Sequence, residues 1–196
     1  IRVLLQAGTD AGAIVGVAVV TLPSNQQTII LAMDVSGSMR ATDVQPSRLV
    51  AAQNAAKSFI TELPRHVKVG IVAFAGSAQV AQLPTVNRED LVTAIDRFQL
   101  QRGTATGSAL YVALQTLFPD EGIDLESLLF KGAWSRSNQQ GSSLDNKPKP
   151  AKKEFKPVEP GSYGSGVIIL LSDGRRTTGP DPLDAAHMAA DHGVRV

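Results

Sequence analysis

Short, continuous apolar runs constrain this chain most, because such runs predict strands that are buried on both faces of a sheet. The clearest is residues 29–33, and residues 67–74 and 167–171 have the same character. Between the first two lies a stretch with apolar residues at helical spacing, which follows Pro46 and stops at Pro64. Strands that alternate with amphipathic helices predict an α/β fold: a doubly wound, mostly parallel sheet with helices on both faces.

Weaker signals predict the remaining elements. A strand at 14–22 is expected beside the first apolar run, and a shorter one at 78–83 is expected to end at Pro84. Further helices are predicted after Asn87, after the loop at 103–107 and after Asp181, where Asn and Asp are good N-caps. Residues 193–196 begin to look like another strand.

Composition excludes several classes of protein. The chain has 196 residues, 43% of them hydrophobic and 19% charged, which is typical of one globular domain with a sizeable core. A net charge of +1 does not favour nucleic-acid binding. The absence of cysteine excludes disulfides, thiolate zinc sites, iron–sulfur clusters and a thiol nucleophile. The longest apolar run, residues 11–20, is half the length of a membrane-spanning helix.

The expected organisation has an arm or strand at 1–27, following a missing anchor, and an α/β domain at 28–196 that is incomplete at its C-terminus. A targeting remnant is the other interpretation of 1–27. Residues 119–165 are expected to form an exposed, flexible insertion with a short docked helix at 123–130. Trp134 would either pin this insertion to the domain or contact a partner. The lysines at 147–153 would either face solvent or bind an anionic surface.

The strongest chemical signal follows the first apolar run. Asp34, Ser36 and Ser38 alternate in a tight Asp-Val-Ser-Gly-Ser loop, which would direct one carboxylate and two hydroxyls towards a single point. Ligands of open α/β sheets bind at the carboxyl ends of strands. Oxygen ligands of this kind suit Mg²⁺, Mn²⁺ or Ca²⁺ much better than Zn²⁺ or copper.

Two more loops are expected at the same edge of the sheet. Thr104 and Thr106 lie in a Gly-Thr-Ala-Thr-Gly loop before a predicted helix, and Asp173 follows the apolar run at 167–171. Three loops that converge with oxygen ligands predict an octahedral cation site.

These three motifs together resemble the metal-ion-dependent adhesion site of von Willebrand factor A domains. The resemblance implies that Ser36, Ser38 and Thr104 hold the ion directly, with Thr104 preferred over Thr106, and that Asp34 and Asp173 act partly through bound waters. It further implies that Mg²⁺ is the preferred ion, with Mn²⁺ or Ca²⁺ as alternatives. The sixth coordination position would take an Asp or Glu of a protein partner.

Within that family the chain is most similar to bacterial membrane-anchored Bat aerotolerance-type proteins. The similarity lies in Met-Asp-Val-Ser-Gly-Ser-Met at 33–39, Val-Gly-Ile-Val-Ala-Phe-Ala-Gly at 69–76 and the stretch at 172–179. It implies a place in the bacterial cell envelope, with membrane attachment through the missing anchor. The partners it implies are a MoxR-type AAA+ ATPase and other von Willebrand factor A proteins.

Catalytic interpretations have less support. A phosphoryl-accepting Asp34 would need a second Asp at position 36, and neither a Gly-x-Ser-x-Gly elbow nor a Walker A motif is present. Metal-assisted hydrolysis remains open, although no base is evident beside the site. We therefore expect a noncatalytic, metal-dependent binding module. The alternative is a structural or assembly subunit that binds through the insertion at 119–165, independently of metal.

Two smaller expectations concern single residues. Asp43 either lies near the metal loop or caps the helix after Pro46. The three histidines, His66, His187 and His192, are expected at surface or boundary positions.

Overall fold

A computed structural model describes residues 2–4, 19–21, 27–134, 157–174 and 176–196. The strands are β1 Arg2–Leu4, β2 Val19–Thr21, β3 Thr28–Asp34, β4 Lys68–Phe74, β5 Ala78–Thr85 and β6 Gly166–Leu171. The helices are α1 Arg48–Glu62, α2 Arg88–Asp96, α3 Thr106–Leu117, α4 Leu125–Trp134 and α5 Pro182–Asp191. Short 3-10 turns lie at Gly37–Arg40 and Pro119–Glu121.

The central sheet has the order β5-β4-β3-β6. Strand β3 pairs in parallel with both β4 and β6, and β5 is antiparallel to β4. Beyond β6, Val167 forms a parallel bridge with Arg195, in agreement with the strand character predicted for 193–196. The predicted mostly parallel α/β sheet is therefore confirmed, and its order brings the ends of β3 and β6 together.

The core explains why β3 is apolar along its whole length. Ile29 and Leu31 pack on one face of the sheet against α1 and α2, whereas Ile30 and Ala32 pack on the other face against α3 and α5. Because successive residues of a strand point to opposite faces, a strand covered on both sides has no position for a polar side chain.

The prediction that residues 14–22 form a neighbour of β3 is wrong. Only Val19–Thr21 is a described strand there, and it pairs antiparallel with Arg2–Leu4 in a separate two-stranded sheet. Both sides of β3 are already taken by β4 and β6. The other residues of that predicted strand lie outside the described ranges.

Strand β5 continues past the point where the sequence predicted its end. It reaches Thr85 and includes Pro84. Proline is tolerated there because β5 is at the edge of the sheet that the described strands form, so one row of its backbone groups pairs with none of them. Pro84 also packs over Gly70 of β4, where an added Cβ would lie 3.1 Å from the proline ring.

Helix boundaries agree well with the predicted signals. Asn87 and Asp181 cap α2 and α5 through bonds from the amides of Glu89 and Leu183. Helix α1 is capped by Ser47, whose hydroxyl accepts from the Val50 amide. The capping role considered for Asp43 is therefore wrong.

The helix expected within the insertion is present as α4, and its leucines at 125, 128 and 129 pack against the α3 face of the core. Tyr163, near the other end of the insertion, contacts Phe118 with ring centroids 4.9 Å apart. Residues 135–156, with most of the lysines, lie outside the described ranges, as does the side chain of Trp134. The flexibility of the insertion stays a prediction.

Candidate metal centre

Asp34 is the last residue of β3 and is almost fully buried, with 1% of its surface exposed. Its Oδ1 accepts a hydrogen bond from the Ser36 amide at 2.7 Å, and its Oδ2 accepts one from the Ser172 hydroxyl at 2.6 Å. The carboxylate thus ties the loop after β3 to the loop after β6. Ser172 was missed in the sequence, although it directly precedes the predicted ligand Asp173.

The two predicted serine ligands lie side by side. Ser36 Oγ is 2.8 Å from Ser38 Oγ, and Ser38 Oγ donates to Asp173 Oδ1 at 2.8 Å. Ser36 is buried and Ser38 is exposed. Asp34, Ser36, Ser38 and Asp173 are therefore linked in one hydrogen-bonded group, which we call the oxygen cluster.

The oxygen–oxygen spacings fit a small hard cation. Adjacent ligands of an octahedral Mg²⁺ ion, each at about 2.1 Å, lie about 3.0 Å apart. The Ser36–Ser38 and Ser38–Asp173 spacings, both 2.8 Å, are ordinary hydrogen-bond distances, and oxygens this close together can reach one ion. Among the described residues, no group of three His, Cys, Asp or Glu side chains is placed to hold a metal, so this candidate site depends on hydroxyl ligands.

Thr104 lies in the loop before α3 and is buried. Its amide donates to Thr177 Oγ1 at 2.8 Å, and the Thr177 amide donates back to the Thr104 carbonyl at 2.9 Å. These bonds fix the Thr104 loop against the loop after β6. Within the described ranges, the Thr104 hydroxyl makes no hydrogen bond to the oxygen cluster, so the fold places its loop nearby without joining it to the cluster.

Thr106, the second threonine of that loop, begins α3. Its Oγ1 is buried and has no hydrogen-bond partner among the described residues. A buried hydroxyl without a partner is unusual and needs a reason, such as an ion or water nearby.

Arg48, at the start of α1, connects two carboxylates on the exposed side of the oxygen cluster. It donates to Asp173 Oδ2 through Nη1, and to Asp43 through Nε at 2.8 Å and Nη2 at 2.6 Å. These hydrogen bonds from Arg48 lower the pKa of Asp43, and both carboxylates raise the pKa of the guanidinium. Arg48 was missed because a lone Arg in the first turn of a helix gives no sequence signal for a contact so far along the chain.

His192 lies at the boundary between α5 and the turn at Pro119–Glu121. It ends α5, as expected of a boundary residue, but only 7% of its side chain is exposed. Its Nε2 lies 2.9 Å from Glu121 Oε2, and its ring stacks near Phe118. The expected surface or boundary position is therefore a boundary position, and the turn at Pro119–Glu121 covers the side chain.

A mixed sheet flanked by helices, with hydroxyl and carboxylate oxygens gathered at its carboxyl edge, defines a doubly wound α/β domain with a candidate cation site. The family model described as von Willebrand factor type A domain matches residues 29–175. The chain belongs to this family. Its domains are generally interaction modules rather than enzymes, and they commonly bind a divalent metal.

The curated relatives are longer proteins. A UPF0353 protein of Mycobacterium sp. (strain KMS) is 37% identical over 183 residues, which cover 90% of this chain and 45% of the relative. A UPF0353 protein of Mycobacterium bovis (strain BCG / Pasteur 1173P2) matches with the same identity and coverage. The chain thus spans about half the length of these relatives.

Solved structures confirm the Bat-type resemblance. BatB from Bacteroides thetaiotaomicron superposes with a TM-score of 0.57 at 25% identity, covering 86% of this chain and 63% of that one. An aerotolerance-related membrane protein from Bacteroides fragilis gives a TM-score of 0.58 at 23% identity, covering 86% and 64%. In this chain, no helix within the described residues is long and apolar enough to cross a membrane.

Proposed function

We propose that this domain binds a divalent cation, Mg²⁺ by preference, and uses it to bind an acidic side chain of a protein partner. The observation that carries the proposal is the oxygen cluster itself, which gathers two carboxylates and two hydroxyls from two loops at one edge of the sheet. Mn²⁺ and Ca²⁺ prefer similar oxygen ligands and are expected to substitute.

Each residue has a distinct role in this proposal. Ser36, Ser38 and Thr104 would hold the ion directly, whereas Asp34 and Asp173 would act partly through water. A bound cation supplies a dense positive charge with one position open to an external carboxylate. The interaction needs no bond to be made or broken in the partner, so the domain acts as a binding module and not as an enzyme.

The proposed setting is a bacterial envelope assembly. Its support is the similarity to BatB and to the aerotolerance-related membrane protein of Bacteroides fragilis. The full-length protein would be anchored in the membrane, and a MoxR-type AAA+ ATPase and other von Willebrand factor A proteins are the proposed partners.

The first test is a calorimetric titration of the chain with Mg²⁺ and with Mn²⁺, beside the Asp34→Ala variant. Thermal melts of both proteins show whether each is folded. We expect saturable binding by the wild type alone, because Asp34 organises both the Ser36 amide and the Ser172 hydroxyl. Equal heats from two folded proteins would contradict the site.

The second test addresses the partner. Binding to the separately purified ATPase or membrane partner is measured in Mg²⁺ and after chelation, and we expect chelation to abolish it. Binding that is insensitive to chelator but lost on deleting residues 135–156 would favour assembly through the insertion instead.

A further inference from the structure

A groove of about 430 Å³ lies between β5, α2 and the segment that joins α2 to α3. Four glutamines line it, Gln79, Gln82, Gln99 and Gln101, and we call it the glutamine groove. Alanines and Phe98 provide the apolar part of its lining. Its volume is in the range of sites that bind small ligands or short peptide segments.

The glutamine groove directly adjoins the loop of the oxygen cluster. Gln101 forms a parallel bridge with Ser36, and its amide donates to the carbonyl of Val35 at 2.8 Å. Val35 lines the groove and lies between the cluster residues Asp34 and Ser36. The backbone of Gln101 therefore links the groove to the loop that carries Asp34, Ser36 and Ser38.

The lining chemistry suits a polypeptide backbone. Each glutamine amide offers both donors and an acceptor, which is what the N–H and C=O groups of an extended chain require. Gln79, Gln99 and Gln101 are exposed and thus accessible to a ligand. The charged side chains of the lining, Asp90 and Arg97, are of opposite sign, so the groove has no net charge to attract a small anion.

We propose that the glutamine groove binds the extended polypeptide that flanks the acidic residue of the partner. This inference rests on the proposed function, since the acidic side chain is held at the cation and the groove is lined by Val35, which lies between two cluster residues in the sequence. Small side chains of the bound segment would rest on the alanines, while its backbone pairs with the glutamine amides. The groove thereby favours an acidic residue that lies within an extended segment of the partner.

The probe is an array of short peptides, each with one central Asp and varied flanking residues, presented in Mg²⁺ and in chelator. The best peptide is then titrated against the wild type and against Thr93→Trp, which puts an indole into the groove from an exposed position of α2. The matched control is Thr61→Trp, an exposed threonine of α1 outside the groove. Capped aspartate, with no flanking residues, is titrated alongside.

We expect Thr93→Trp to lower the affinity for the peptide about tenfold, which corresponds to the loss of about two net hydrogen bonds. Thr61→Trp should leave this affinity unchanged. Capped aspartate should bind all three proteins equally. The double variant Gln99→Ala with Gln101→Ala, which only truncates exposed side chains, should give a similar loss if Thr93→Trp does not fold.

Two other outcomes would separate a failure of the groove inference from a failure of the proposed function. Metal-dependent peptide binding that is unchanged in Thr93→Trp and in the glutamine variant would overturn the groove and leave the proposed function standing. No metal-dependent binding of any peptide or of capped aspartate by folded wild type would overturn the proposed function, and the groove inference with it.

Discussion

The loops after β3 and after β6 each supply one aspartate to the oxygen cluster, but they hold it in different ways. Asp34 is buried and bonded by the backbone of its own loop and by Ser172. Asp173 is held by Ser38 and Arg48, which are 135 and 125 residues away in sequence. Asp34 is thus held partly by the backbone of its own loop and partly by Ser172, whereas Asp173 is held by side chains from two other elements.

The largest expected effect follows from removing the charge of Asp34. Each oxygen of the Asp34 carboxylate accepts one hydrogen bond. Asp34→Asn replaces one of these oxygens by an NH₂ group, so either the Ser36 amide or the Ser172 hydroxyl loses its buried acceptor. We expect a loss of about 1–3 kcal/mol in the free energy of unfolding. Urea denaturation measures this loss, and a variant as stable as the wild type would show that Asp34 is not a structural anchor.

Asp173→Asn should separate metal binding from stability. Its ion pair with Arg48 is only partly exposed but is worth about 1 kcal/mol at most, so the unfolding free energy should change less than in Asp34→Asn. Cation affinity should fall by about 100-fold, at the upper end of the losses seen when a group that orients metal ligands is removed. Calorimetry with Mg²⁺ measures the affinity, and the exposed Asp120→Asn variant is the control. If Asp173→Asn destabilised the fold as much as Asp34→Asn does, the two loops would not differ in the way proposed.

Arg48→Lys tests whether Asp173 is positioned by the forked geometry of the guanidinium or by its positive charge alone. Lysine keeps the positive charge but cannot reach Asp43 and Asp173 together with the fork of donors that arginine has. We expect cation affinity to fall about tenfold, with little change in unfolding free energy. Wild-type affinity in this variant would mean that the charge alone is enough.

The smallest effect concerns the Asp43–Arg48 pair and pH. Because bonding to Arg48 lowers the pKa of Asp43 in the folded state, the pair stabilises the fold above the unfolded pKa of 3.8 and loses its effect as pH falls below that value. The stability difference between the wild type and Asp43→Asn should therefore shrink between about pH 6 and about pH 3. Urea titrations at both ends measure it, and a difference that grows on acidification would contradict the ion pair.

Sequence patterns correctly predicted those elements that depend on residues close together along the chain. The apolar runs that became β3, β4 and β6, the caps at Asn87 and Asp181, and the helix at 125–134 all depend on neighbours in sequence. The pairing of residues 19–21 and the passage of β5 through Pro84 depend on which strand edges are free, which no single segment encodes.

In the candidate site, too, local patterns were predicted and long-range contacts were not. Alternation of Asp34, Ser36 and Ser38 after a strand predicted that their oxygens would converge. In the structure the two serine hydroxyls meet, while Asp34 bonds the Ser36 amide. The roles of Arg48 and Thr177 depend on long-range side-chain contacts that have no periodicity or motif. Metal binding by any of these residues stays a prediction for calorimetry.

The mutual bonds between Thr104 and Thr177 fasten two loops that are 73 residues apart in sequence. Gly107 allows this close approach, since an added Cβ would lie 2.4 Å from the Pro180 carbonyl oxygen. The covalent path between residues 134 and 157 is therefore not what positions these loops. A circularly permuted chain opened in that interval, or one carrying a reporter domain there, is expected to retain the candidate site, which makes the interval the natural place to engineer a sensor.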